Sequence, residues 1–301
     1  MGKSIKILVF FLVLVLMLII FADSTKKKPI DWTPTYGVND KIPFGLKVFN
    51  VEAEGLFKNQ KIEKFSETPY EFFYDVTTFN ENDYNDENSY PVDSIATIVD
   101  STTYSEDADT LSYEVADTVA YDVSDTTAYE TTSSVAIRND KRGALFSVSD
   151  FYKFDDKSTE ELLYFVEKGN TVFISATTMP DILRDSLNFE IILRNHIENK
   201  LKSTLVHSNI NFEFDKGASD YYFSKFDKKT TTILGNIHDE KYTLPNFIEI
   251  KYGEGKFLLH LQPIAFTNYY LLKNNHKYIE AVCAHIDSKN IYWNADNIFS
   301  R

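Results

Sequence analysis

Six histidines, one cysteine and scattered hydroxyls and carboxylates are the groups in this 301-residue chain that could do chemistry. His196, His207, His238, His260, His276 and His285 never fall at i, i+4, the spacing that puts two zinc ligands on one helix face. The sequence holds no His-Glu-x-x-His, no Gly-x-Gly-x-x-Gly, no phosphate loop ending in Gly-Lys-Ser/Thr and no Gly-x-Ser-x-Gly elbow. No metal and no cofactor is expected from this inventory. One thiol, Cys283, excludes an internal disulfide framework and a cysteine-built metal site. It stands in Ala281-Val-Cys-Ala284 within a helical pattern, with His260 and His285 near it in sequence. A reactive thiol needs a lowered pKa and access, so a buried structural role is favoured over a nucleophile.

Other candidates emerge from the elements that must position them. From Lys141 the pattern is that of a wound α/β domain. Gly143 to Ser149 reads as a strand ending in Asp150; Ser158 to Lys168 as a helix with Ser158 at the N-cap and Glu161 at capping-box spacing; Asn170 to Ala176, after Gly169, as a second strand. Strand, helix and strand in about 35 residues form a βαβ unit with a right-handed crossover. In an open α/β sheet, ligands lie beyond the carboxyl ends of the strands, which selects Asp150, Thr177 and Thr178. The competing reading of all three is capping, and it is favoured. A hairpin is expected from Asn246 to Tyr252, through Gly253-Glu-Gly255, to Lys256–Leu261. His260, between Leu259 and Leu261, is expected to point its polar side outward or to anchor the following loop. Shorter strands are expected within 203–214, 221–226 and 230–234, a closing helix over 275–286 and a last strand over 290–293. Upstream, a helical pattern runs from Pro43 to Phe57, a short strand covers 61–66, and Thr68-Pro69 opens a brief helix.

At the N-terminus, Ile7 to Ala22 is sixteen residues without a charge, flanked by Lys6 and by Lys26, Lys27 and Lys28. As a helix it covers roughly 24 Å, slightly less than a hydrocarbon core of about 30 Å, and the lysines can snorkel to the headgroups. A single membrane anchor is favoured over a cleaved signal peptide, because no small-x-small site follows. The formal net charge of −14 is also local: between Lys64 and Arg138 there are seventeen Asp or Glu and no Lys or Arg, leaving 45 − 17 = 28 acidic against 31 basic residues elsewhere. No nucleic-acid binding is indicated. Residues 80–135 lack Gly and carry a short repeat, Tyr113-Glu-Val-Ala-Asp-Thr-Val-Ala followed by Tyr121-Asp-Val-Ser-Asp-Thr-Thr-Ala. They read as an acidic low-complexity insertion, without the Asp-x-Asp-x-Asp-Gly turn a calcium loop requires.

Pro29-Ile-Asp-Trp32-Thr-Pro34-Thr-Tyr36, Asp40-Lys41-Ile-Pro43-Phe-Gly45, Lys168-Gly-Asn-Thr-Val-Phe-Ile174, Asn246-Phe-Ile, Tyr252-Gly-Glu-Gly255 and Leu259-His-Leu-Gln-Pro263-Ile-Ala-Phe-Thr-Asn268-Tyr together resemble an uncharacterised bacterial membrane family, domain of unknown function 4350. The resemblance implies a flavodoxin-like or glutamine amidotransferase-like α/β sandwich with an additional β-rich part, outside the inner membrane of a Gram-negative cell. It brings no catalytic triad, since the turn after Ala176 offers Thr177-Thr178-Met179 and no cysteine. The expected organisation is an anchor at 1–24, a stalk at 25–40, an α/β domain at 41–294 interrupted by 80–135, and a tail at 295–301. The expected protein is a single-pass inner-membrane chain with a periplasmic domain that binds or assembles with a protein partner. A hydrolase using the strand-end crevice is the alternative. Asp150, Thr177, Thr178, His260 and Asn268 are the candidate binding residues, and no catalytic residue is assigned.

Overall fold

The computed structural model describes residues 2–24, 29–80, 132–194, 201–206, 208, 210–238, 241–273 and 276–295. His196, His207, residues 296–301 of the expected tail and residues 81–131 of the acidic insertion lie outside the described residues. In chain order the elements are α1 (Lys3–Ser24), α2 (Lys47–Leu56), β1 (Lys61–Phe65), α3 (Pro69–Phe73), β2 (Tyr74–Asn80), β3 (Thr132–Arg138), β4 (Ala144–Val148), α4 (Asp156–Glu167), β5 (Thr171–Ser175), α5 (Asp181–Leu187), β6 (Phe189–Leu193), β7 (Leu201–Leu205), β8 (Asn211–Phe214), β9 (Tyr221–Phe226), β10 (Thr231–His238), β11 (Thr243–Tyr252), β12 (Gly255–His260), a 3-10 turn (Pro263–Phe266), α6 (Asn268–Leu271), α7 (His276–Cys283) and β13 (Asn290–Asn294).

One nine-stranded sheet dominates, in the order β1-β13-β4-β5-β12-β11-β10-β7-β8. The first five strands run parallel. From β12 onward every pairing is antiparallel. The reversal has a local cause. The tight turn at Gly253-Glu254 returns the chain alongside itself, and neighbours joined by a short hairpin must be antiparallel. The expected flavodoxin-like or glutamine amidotransferase-like sandwich is therefore corrected to a mostly-sheet structure with few helices, built on a mixed sheet. The segments read as an additional β-rich part are strands of that same sheet, apart from β9.

Side-chain alternation divides the core in two. Ala144, Phe146, Val148, Phe173 and Leu258 face α2, the 3-10 turn, α6 and α7. Leu145, Val172, Ile174, Phe257 and Leu259 face α3, α4, α5 and the separate β6–β9 pair. The cap of α4 differs from expectation: Asp155 is the N-cap and accepts from the Ser158 amide at 2.7 Å. Ser158 Oγ instead accepts from the Tyr70 amide, a tertiary use no local pattern reveals. Thr68 and Glu71 do form a capping box on α3.

Helix α1 has its side chains from Ile7 to Leu18 exposed, at 41 to 68 %. Among the described residues no helix is long and apolar enough to cross a membrane. The uncharged run of α1 covers roughly 24 Å against about 30 Å of hydrocarbon. The expected transmembrane helix, and with it the single-pass inner-membrane placement with a periplasmic domain, is corrected on this ground.

Candidate functional site

The carboxyl ends of β4, β5 and β12 lie side by side, and the loops that leave them are joined by backbone bonds. Ser149 N donates to Ser175 O at 3.0 Å, Ala176 N to His260 O at 3.0 Å, Thr177 N to Asp150 O at 2.8 Å and Tyr152 N to Thr178 O at 3.2 Å. Asp150, Thr177 and Thr178 are thus brought together as the strand-end rule anticipates. Thr177 Oγ1 also donates to the Asp150 carbonyl, at 2.5 Å, so its hydroxyl secures the loop. Thr178 is exposed.

Two residues that sequence reasoning passed over complete this rim. Lys153 interacts electrostatically with Asp150, and burial lowers its amine to about 8 while the Asp150 charge opposes the shift. Burial likewise raises the Asp150 carboxyl, with Lys153 acting against it. Both groups are pushed toward neutrality by desolvation. Tyr36, from the lead-in segment, is 3 % exposed and holds a left-handed backbone at φ 50°. Burial and the nearby charge of Asp150 raise its phenol. The lead-in thus packs its own aromatic ring beside the strand ends.

His260 sits one layer below the rim and points inward. Its Nδ1 stands 2.8 Å from Ser175 Oγ and its Nε2 3.1 Å from Tyr278 Oη. The line continues from Tyr278 Oη to Ser203 Oγ at 2.9 Å, and Asn246 Nδ2 donates to Ser203 Oγ at 3.4 Å. Ser175, His260, Ser203 and Asn246 are each 0 % exposed. Burial lowers the imidazole to about 3 and raises the Tyr278 phenol. A neutral imidazole has one donor and one acceptor, which two hydroxyl partners satisfy. The outward-facing or loop-anchoring side chain expected at 260 is thereby replaced by a core hydrogen-bond relay.

Asn268 is elsewhere and fully committed. Its Oδ1 accepts from Val48 N at 2.7 Å, and its Nδ2 donates to Asp40 O at 2.8 Å and Ile42 O at 2.7 Å. It clamps the turn that leads into α2, which leaves no amide proton for a ligand. Cys283 borders a cleft of ≈ 750 Å³ between α2 and α7, but it is 4 % exposed and burial pushes its thiol up, away from thiolate chemistry. Among the described residues no three His, Cys, Asp or Glu side chains gather closely enough to hold a metal ion. Neither Ser175 nor Tyr278 carries a local signal. They are 85 and 18 residues from His260, and only strand register and helix docking join them.

No family model matches the chain, and no curated protein does. Among solved structures, partial likeness is found to a catalytic mutant of Gan42B, a GH42 beta-galactosidase from G. stearothermophilus, at 14 % identity and a TM-score of 0.33 over 48 % of this chain and 22 % of that one. The mmIFT52 N-terminal domain gives 13 % identity and a TM-score of 0.35, over 47 % of this chain and 76 % of that one. Agd3, a carbohydrate deacetylase, gives 8 % identity and 0.34, over 47 % of this chain and 24 % of that one. The chain spans less than a quarter of the galactosidase's length. Likeness at this level says nothing of what the present chain does.

Proposed function

We propose that this chain is a non-enzymatic binding or assembly domain whose contact with a partner includes the strand-end rim of Asp150, Lys153 and Thr178. The observation that carries this reading is the sealing of Ser175 and His260. Their contact has the reach of a nucleophile–base pair, yet both side chains are wholly buried and the imidazole is held down to about 3. A general base works best with a pKa near the operating pH, and a nucleophile must meet its substrate; this pair does neither. The rim above it offers a half-buried carboxyl and amine that influence each other electrostatically, suited to recognising a polar partner group. The resemblance to an uncharacterised family, which brings no triad, is consistent with this.

The test is labelling of the full chain with a fluorophosphonate probe beside a known serine hydrolase. No adduct at Ser175 is expected while the control is labelled. Stoichiometric labelling of Ser175 would overturn the binding reading in favour of a hydrolase.

A further inference from the structure

Two clefts meet between α2 and α7, beside the amino ends of β1 and β13 and so at the opposite end of the parallel strands from the Asp150 rim. The larger, of ≈ 750 Å³, is lined in part by residues 57–60 after α2 and 286–289 before β13. The smaller, of ≈ 450 Å³, has an apolar floor that includes Val48, Leu271 and Ile279. Gly55, Leu56, Lys58 and Glu280 line both. Gly55 is the residue that packing does not explain. Within a helix, glycine gives up more conformational freedom than alanine and adds no side chain. A Cβ on Gly253 would meet the Glu167 backbone at 2.6 Å, so glycine is required there, but a Cβ on Gly55 would meet no atom within 4 Å. The space beside Gly55 is therefore left open by the fold, at the junction of the two clefts.

We propose that this double cleft binds a small organic cation of the alkylammonium class, its ammonium beside Gly55 and its apolar stem on Val48, Leu271 and Ile279. The polar lining is what selects a cation. The carbonyls of Glu54, Gly55 and Leu56, in the last turn of α2, accept no backbone hydrogen bond among the described residues. Helices α2 and α7 both end on the larger cleft, and each brings the negative end of its dipole there. Glu280 lines both clefts, Glu52 the smaller and Asp287 the larger; Lys58, Lys289 and His276 are the basic groups. None of these side chains has a hydrogen-bond or ion-pair partner among the described residues, so the three carboxylates are not already spent on the protein's own cations. Three carboxylates against two ammoniums, with two helix ends added, leave the balance negative. Exposed ion pairs are weak in water, so the charge sets orientation while the apolar floor supplies affinity. This site is independent of the Asp150 rim. A chain that binds no amine leaves the binding reading standing, and labelling of Ser175 leaves this cleft untouched.

The test is titration of the full chain, in neutral detergent that covers α1, with butylammonium, butan-1-ol and butanoate, which share one stem and differ in charge. The amide signals of Ala284 and Ile286, across the cleft from Gly55, report binding by nuclear magnetic resonance. A saturable shift with butylammonium, a weaker one with butan-1-ol and none with butanoate is expected. No saturable shift with butylammonium, or binding of butanoate as tight, overturns the proposal. Gly55→Leu places a side chain in the open space and is expected to lose the shift while unfolding at the same or a higher urea concentration. Glu280→Gln is expected to weaken binding about threefold and Lys58→Gln, which removes an opposing charge, to tighten it by a similar factor. These two variants decide the matter even where Gly55→Leu folds poorly. Unchanged affinity in both, or wild-type affinity in a folded Gly55→Leu, is equally fatal to the proposal.

Discussion

His260 shows what burial does to one residue. In the unfolded chain its imidazole takes a proton near 6.5, whereas in the folded chain burial holds it down to about 3. Between those values the unfolded state binds the additional proton, so stability falls as pH is lowered from 6.5 toward 3. The slope contributed by this one group reaches about 1.4 kcal/mol per pH unit. His260→Gln, which removes the titration, is expected to be less stable near pH 7 but to lose stability less steeply between pH 6.5 and 4, measured by urea midpoints. Equal slopes for the two proteins would show that His260 does not titrate as its burial demands. His285, also lowered by burial, contributes to the slope in both proteins and cancels in the comparison. In sequence His260 was conspicuous as a polar residue within an aliphatic strand. Its inward direction was not legible, because alternation assigns a face without saying which face is buried.

At the scale of elements, β2 and β3 pair in continuous antiparallel register from Tyr74 with Arg138 to Asn80 with Thr132. The base of this ribbon is fixed to α4: Arg138 Nη2 donates to Glu161 Oε1 at 2.7 Å, and its guanidinium lies 3.7 Å from the ring of Tyr164. Residues 80 and 132 are direct partners, so removing 81–131 and joining them with Asn-Gly requires only a two-residue hairpin turn. The shortened chain is expected to keep its far-ultraviolet circular dichroism per described element and to melt within a few degrees of the parent. Loss of cooperative melting would place the acidic segment in the core. Composition marks 80–135 as an acidic stretch without Lys or Arg, and its described ends, residue 80 and residues 132–135, belong to β2 and β3. The ladder at its base was not legible, because pairing depends on strands more than fifty residues apart.

The whole molecule is organised around Phe146 in β4. Its ring stacks on Phe173 at 4.9 Å and on Phe49 at 5.5 Å, and meets Phe57, Phe266 and Trp293 edge-on. These partners come from a central strand, a helix, the residue after that helix, the 3-10 turn and β13, so one side chain joins distant parts of the chain. Phe146→Ala is expected to cost about 3–5 kcal/mol, at the upper end for core truncations, because so many fixed rings cannot close over the cavity. Denaturant unfolding measures it, and a loss below about 1 kcal/mol would mean that the core relaxes.

By itself, the amino-acid sequence determined what local chemistry can determine. The β11–β12 hairpin follows from Gly253 and Gly255 between β-rich runs, the start of α3 from Thr68-Pro69, and the placement of Asp150 and Thr177 at strand ends from a strand–helix–strand rhythm. Tertiary structure decided the rest. β13, the last strand, enters the sheet between β1 and β4, and β11, β10, β7 and β8 extend that sheet antiparallel, while Ser175, His260, Tyr278 and Ser203 converge from four separate elements. Turns and caps are set by residues a few positions apart. Strand order and buried relays are set by which distant surfaces bury each other, and no local pattern encodes that choice.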